Sequence, residues 1–103
     1  VSRVVNVRKD AAEVARAVAE GVYVYIGRPS KWGNPFTHLT KSIAAHVVPK
    51  DEVLPRYESW LRQQPELMAA LPELRGKVLG CWCKPRPCHG DILAKLADDE
   101  VTP

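Results

Sequence analysis

The chain has 103 residues, 46% of them hydrophobic, with 15 Lys and Arg against 12 Asp and Glu for a net charge of +3. That hydrophobic share excludes a disordered or acidic tail protein, and no apolar run approaches the roughly 20 residues of a membrane helix. The small positive balance permits an anionic partner but falls short of a dedicated nucleic-acid-binding arm. The opening VSRVVNVRKD shows no signal-peptide pattern, and three cysteines are an odd count for a disulfide framework. Both point to a reducing, cytoplasmic setting and to no membrane association. The length suits one domain, with an ordered core over about residues 3–97 within 1–103.

Val-rich Arg3–Arg8 predicts a strand, and Asp10 with Glu13 forms a capping-box-like helix start. Ala11, Val14, Ala15 and Val18 carry that helix to a left-handed stop at Gly21. Val22–Ile26 is the clearest strand, ended by Gly27. Residues 37–50 are ambiguous: Ile43, Ala44, Val47 and Val48 suit a short helix or an irregular packed segment. Leu54, Tyr57, Trp60 and Leu61 are spaced for an amphipathic helix with Pro55 in its first turn. Pro65 opens a further short helix that Pro72 stops. Lys77–Trp82 reads as a buried strand, and a last helix starts near Cys88. This order predicts an α/β fold, a small, largely parallel, Rossmann-like sheet flanked by helices. Such sheets present their sites at the carboxyl ends of strands, where both unusual loops begin.

The segment Cys81–Asp91 holds all three cysteines and a histidine. Three thiolates and an imidazole make a chemically good zinc set. The spacing argues against it, since Cys81 and Cys83 alternate on a strand while the neighbours Cys88 and His89 would have to converge on one ion. No cofactor is therefore expected, with zinc as the alternative. A Cys88 at a helix start would have its thiolate favoured by free N–H groups and the helix dipole. Lys84, Arg86 and His89 would add positive charge, and the same arrangement binds phosphate without catalysis. Asp91 would orient His89 or cap the helix. In a catalytic reading Cys88, His89 and Asp91 carry the chemistry. In a structural one Cys81 is a small buried hydrophobe, and Trp82 either packs or offers a stacking surface.

The loop Gly27–Phe36 offers Arg28 and Lys31 for phosphate, Trp32 for stacking on a base, and Gly33 and Asn34 for close backbone approach. Its structural reading has Trp32 and Phe36 plugging the core edge. It lacks the spacing and the GK[ST] ending of a P-loop. His38 and His46 have no motif partner and read as surface or packing residues, while Tyr23, Tyr25, Tyr57 and Trp60 read as core.

The stretches YIGRPSKWGNPF (Tyr25–Phe36), YxxWL (Tyr57–Leu61), ELRGKxL (Glu73–Leu79) and CWCKPxPCHGDIL (Cys81–Leu93) closely resemble a bacterial and bacteriophage family, the domain of unknown function numbered 4326. The resemblance spans about residues 3–97 and matches at Gly27, Arg28, Trp32, Gly33, Asn34, Pro35, Cys81, Cys83, Cys88, His89 and Asp91. It implies a compact cytoplasmic domain often encoded by phages or actinobacteria, and it brings no reaction with it. The region 37–50 departs from the family pattern, because the helix expected there is interrupted.

Two expectations result. One is a nucleotide- or nucleic-acid-binding or processing domain, in which Arg28, Lys31, Lys84 and Arg86 hold phosphate and Trp32 and Trp82 meet a base, beside Asn34. The other is a non-enzymatic phage or bacterial module that binds a host protein, its Cys-rich loop structural or zinc-bound.

Overall fold

The computed structural model describes residues 2–37 and 46–99. Its centre is a parallel sheet of β1 (Arg3–Asn6), β5 (Val78–Cys81) and β2 (Tyr23–Tyr25), in that spatial order. The last strand in sequence thus inserts between the first two. A central parallel strand is covered on both faces, which suits the uninterrupted Val78-Leu79-Gly80-Cys81, buried from Leu79 onward. The register sets Asn6 opposite Cys81 on one side and Tyr25 opposite Gly80 on the other. Both motif loops therefore leave the same end of the sheet.

Helix α1 (Ala11–Ala19) joins β1 to β2 and ends at Gly21, whose φ of 72° is the left-handed conformation expected there. The capping box expected at its start does not form. Asp10 Oδ2 instead accepts from the Asn6 backbone N–H at 2.8 Å, and Glu13 pairs with Arg3 at 2.7 Å. The strand end and its neighbouring cation outcompete the helix end for both carboxylates.

The ambiguous region resolves in part into two short parallel strands, β3 (Phe36–Thr37) and β4 (His46–Val47). The His46 ring lies against Phe36, with centroids 5.4 Å apart. His38, Ile43 and Ala44 lie outside the described residues. After a 3₁₀ turn at Lys50–Glu52 comes α2 (Val53–Arg62), with Pro55 in its first turn, and then α3 (Pro65–Ala70) with proline leading. A second 3₁₀ turn, Leu71–Leu74, replaces a sharp stop at Pro72.

Helix α4 (His89–Asp99) seals the main core, which gathers Ile26, Trp32, Tyr57, Leu61, Leu71, Leu74, Leu79 and Leu93. Ser2 fastens the start of the chain to its other end, through Asp98 and the Leu74 carbonyl. Val4 points to α4, so the pleat turns Val5 to the other face; Val5 is buried there, as is Ala17 of α1. The approach of α4 to the sheet depends on Gly90. A Cβ at that position would stand 2.7 Å from Ile26 Cδ1 and 2.8 Å from Val4 Cγ1. Gly90→Ala should therefore cost about 1–3 kcal/mol by overpacking. Denaturant unfolding checks this, and an unchanged midpoint would show that the helix can lift freely.

Candidate functional site

The two motif loops meet. The first leaves β2 through Ile26 and Gly27; the second leaves β5 and runs into α4. His89, first residue of α4, places Nε2 2.7 Å from the Ile26 carbonyl oxygen. A carbonyl only accepts, so Nε2 carries the proton and Nδ1 is left with its lone pair. That Nδ1 lies 3.7 Å from Cys88 Sγ. Burial, foremost, holds the His89 pKa below its ordinary value. At neutral pH the ring is therefore neutral, an acceptor facing a thiol.

Cys88 is the N-cap of α4. Its sulfur accepts from the Gly90 N–H at 3.2 Å, and its own N–H donates to Asp91 Oδ2 at 3.0 Å. Those two bonds cap the helix from both sides, in the manner of a capping box but with the thiol on the second rather than the third helical N–H. Asp91 Oδ1 meets the Lys84 ammonium at 2.5 Å. Of the two roles expected for Asp91, the geometry gives it the helix cap.

The three thiols form one electrostatic unit. The Cys88 thiol, hydrogen-bonding to Cys81, is the leading cause that lowers the Cys81 pKa to about 6; backbone N–H groups of Lys84 and Cys83 add to it. Cys83 is lowered to about 7, first by Cys88 and then, against burial and the neighbouring Cys81, by the Arg86 and Arg28 cations. Cys88 is pushed upward, foremost by Cys81 and Cys83 and then by burial. This reverses the expectation that Cys88 would be the acidic thiol. The helix N-terminus does favour its thiolate through the Gly90 N–H, but two adjoining sulfurs outweigh that donor. Cys81 and Cys88 are sealed at 0% and 1% exposure, whereas Cys83 is half-buried. Among the described residues no group of three or more His, Cys, Asp or Glu side chains is set to hold a metal ion.

The first loop is corrected in one respect. Trp32, expected as a stacking surface, is 2% exposed and belongs to the core, where its carbonyl accepts from the Tyr57 hydroxyl at 2.8 Å. The Tyr57 ring also meets the His89 ring in a T-shaped contact, with centroids 5.1 Å apart, so α2 braces both loops. Lys31 lies over the Trp32 ring and pairs with exposed Glu73 at 3.1 Å, turned to the surface. Asn34 is buried, its side-chain oxygen accepting from Phe36 N–H and its carbonyl from Arg28. Both residues shape the loop. Ser30 Oγ is buried with no hydrogen-bond partner among the described residues.

Trp82 is the opposite case, 58% exposed. Its Nε1 donates to the Tyr25 hydroxyl at 2.9 Å, and that hydroxyl donates to the Arg28 carbonyl at 3.0 Å. Tyr25, read from the sequence as core, is thus a link between the loops. The signal that could have found it is its place two residues before Gly27, where a Cβ would come 2.3 Å from the Tyr25 hydroxyl oxygen. Asn6 was also missed; its side-chain amide donates to the Trp82 and Lys84 carbonyls and holds the second loop from the β1 side.

Because the folded state depresses the His89 pKa, neutral His89 contributes stability that is full above the unfolded value of 6.5 and lost as pH falls through the lower folded one. The melting temperature should drop on acidification through this window. His89→Gln, which keeps a donor for Ile26, should flatten that dependence; an identical slope in the variant would place the proton uptake elsewhere.

Comparison with known proteins agrees with the motifs. The family model described as a domain of unknown function (DUF4326) matches residues 5–99. An uncharacterized protein, R718, of Acanthamoeba polyphaga mimivirus is 31% identical over 97 residues, covering 77% of this chain and 69% of that protein. An uncharacterized 12.4 kDa protein from the nrdA-td intergenic region of Enterobacteria phage T4 is 60% identical over 30 residues, 29% of this chain. That match spans only 28% of the phage protein's length. No solved structure matches. With nearly its whole length inside the family model and both motif loops joined at one site, the chain belongs to the DUF4326 family.

Proposed function

We propose that this domain binds a nucleotide, or a nucleotide unit of a nucleic acid, at the junction of its two motif loops. The observation that carries the reading is Trp82. A large aromatic left 58% exposed, yet fixed by its Nε1 to Tyr25, is a pre-set stacking face at the carboxyl ends of parallel strands. Cations supply the phosphate side. Arg28 is joined to that ring through Tyr25, and Lys84 and Arg86 follow Trp82 in the same turn. Lys31 and Trp32 leave the ligand set, the first for the surface and the second for the core.

Trp82→Ala should weaken nucleotide binding by about 1–3 kcal/mol, the range for losing one stacked base, with stability near wild type. Arg28→Ala should weaken it through the phosphate and should disturb the loop as well, since Arg28 also holds Asn34. Titration calorimetry across mono-, di- and triphosphates and short single strands checks the reading. No saturable binding to the wild type by any of them would sink it.

Ser30 lies in the first motif loop. Its hydroxyl is buried and unsatisfied among the described residues, so Ser30→Ala should leave the melting temperature unchanged or raised. A drop in melting temperature would reveal a bond that the hydroxyl makes within the fold.

The second reading, a non-enzymatic module with a structural Cys-rich loop, is supported by Cys88 acting as a helix cap. Serine caps at least as well, so Cys88→Ser should keep its unfolding free energy within about 1 kcal/mol of wild type, read by denaturant unfolding. A large loss would favour this reading, because a sulfur-specific structural role would then be needed.

A further inference from the structure

Each strand of the main sheet hands the chain to a turn that carries cations. Arg8 and Lys9 follow β1, Arg28 follows β2, and Lys84 and Arg86 follow β5. The β1 turn and the Trp82 turn are tied side by side. Val7 N–H donates to the Cys81 carbonyl at 2.9 Å, one residue before Trp82. Asn6 Oδ1 accepts from the Arg8 and Lys9 N–H groups, both at 2.8 Å. Its Nδ2 donates to the Trp82 and Lys84 carbonyls at 3.1 and 2.8 Å. On the other side, Trp82 Nε1 is held by Tyr25 of β2, whose hydroxyl bonds the Arg28 carbonyl. The open ring therefore stands at the end of the central strand, with cation-bearing turns on both flanks.

We propose that the ligand is a single-stranded nucleic acid that crosses the three strand ends. One base stacks on Trp82, one adjoining phosphate meets Arg8 and Lys9, and the other meets Arg28. This rests on the nucleotide reading of the loop junction and adds the β1 side, which that reading leaves out. A nucleotide inside a strand has phosphates on both its 5′ and 3′ sides, whereas a free 5′-nucleotide has them on one. Cations on both flanks of a stacking ring match the first. A double helix does not fit, because its bases are stacked on one another and offer Trp82 no free face.

The flanking cations are available. Among the described residues no carboxylate pairs with Arg8, Lys9, Arg28 or Arg86, whereas Arg3, Lys31, Arg56, Arg62 and Lys84 are each matched to one. Arg8, Lys9 and Arg86 are exposed. The acids at the strand ends are engaged: Asp10 accepts from the Asn6 N–H, and Asp91 holds the α4 cap and Lys84. At the opposite, amino end of the sheet, Arg3 is neutralised by Glu13. Unmatched positive charge beside an open ring is what a phosphate chain with splayed bases requires.

The test titrates the full chain with thymidine 5′-monophosphate, 5′-diphosphate and 3′,5′-bisphosphate, then with short oligo(dT), oligo(U) and a hairpin duplex. The bisphosphate should bind about tenfold tighter than the 5′-diphosphate, which carries the same two phosphates on one side. Oligo(dT) or oligo(U) should bind tighter still, and the tighter of the two names the strand as DNA or RNA. Log affinity should fall with log salt by about 0.7 for each phosphate neutralised, and the Arg8→Ala/Lys9→Ala double variant should make that slope shallower by about 0.7–1.4. Lys77→Ala removes one charge at the amino end of β5 and should keep the wild-type slope. Circular dichroism reports the fold of each variant; if the double variant is unfolded, the bisphosphate comparison on the wild type decides. Equal binding of the two double phosphates, a duplex bound as tightly as a strand, or a slope that Lys77→Ala changes as much overturns the proposal. The nucleotide reading survives those results if the 5′-phosphates bind and Trp82→Ala weakens them. Absence of saturable binding by every one of these ligands overturns both.

Discussion

The 2.7 Å hydrogen bond from His89 to the Ile26 carbonyl is the constraint on which the site depends. It joins the end of β2 to the start of α4, two points 63 residues apart in sequence. The bond also fixes the imidazole tautomer, and with it the lone pair that faces Cys88. The ring is buried, so this donor–acceptor pair is not exchanged for water, and a partner lost there would leave an unsatisfied polar group. Tyr57 adds a second brace, its hydroxyl on the Trp32 carbonyl and its ring T-shaped against the imidazole.

Around that bond, side chains are divided between holding the loops and being available. Asn6, Asn34, Tyr25 and Tyr57 spend their polar atoms on loop backbone or on one another's partners. Asp91 is spent on the cap and on Lys84. What remains outward is a short set: the Trp82 ring, the Cys83 sulfur and the arginines beside them. Rigid support behind a few open groups is the arrangement a binding or reacting site needs.

The thiol cluster shows why position and exposure must be weighed together. A helix N-terminus favours a thiolate, and on that argument alone Cys88 is the acidic cysteine. In the folded chain the neighbouring sulfurs push Cys88 upward and lower Cys81 and Cys83, of which Cys83 meets solvent.

Much of this was legible in the chain. Val-rich strands, the Gly21 stop, Pro65 at a helix start and the apolar KVLGCW segment each declare their element through local sterics or burial, and the α/β order with a parallel sheet follows from their succession. The motifs also place the site at two loops after strands. Local rules did not reach what depends on distant partners. Trp32 and Trp82 have similar loop settings, yet one fills the core and the other lies open, because Trp32 joins Tyr57 and Leu61 in the core cluster while the Trp82 ring is held at its edge by Tyr25 and stays exposed. The failed capping box at Asp10 has the same origin, since Asn6 and Arg3 become competitors only once β1 folds beside the helix start. Strand order too was decided by tertiary structure: β5 enters between β1 and β2 because a strand this apolar must be covered on both edges and both faces, and that insertion brings the cysteines to the first loop.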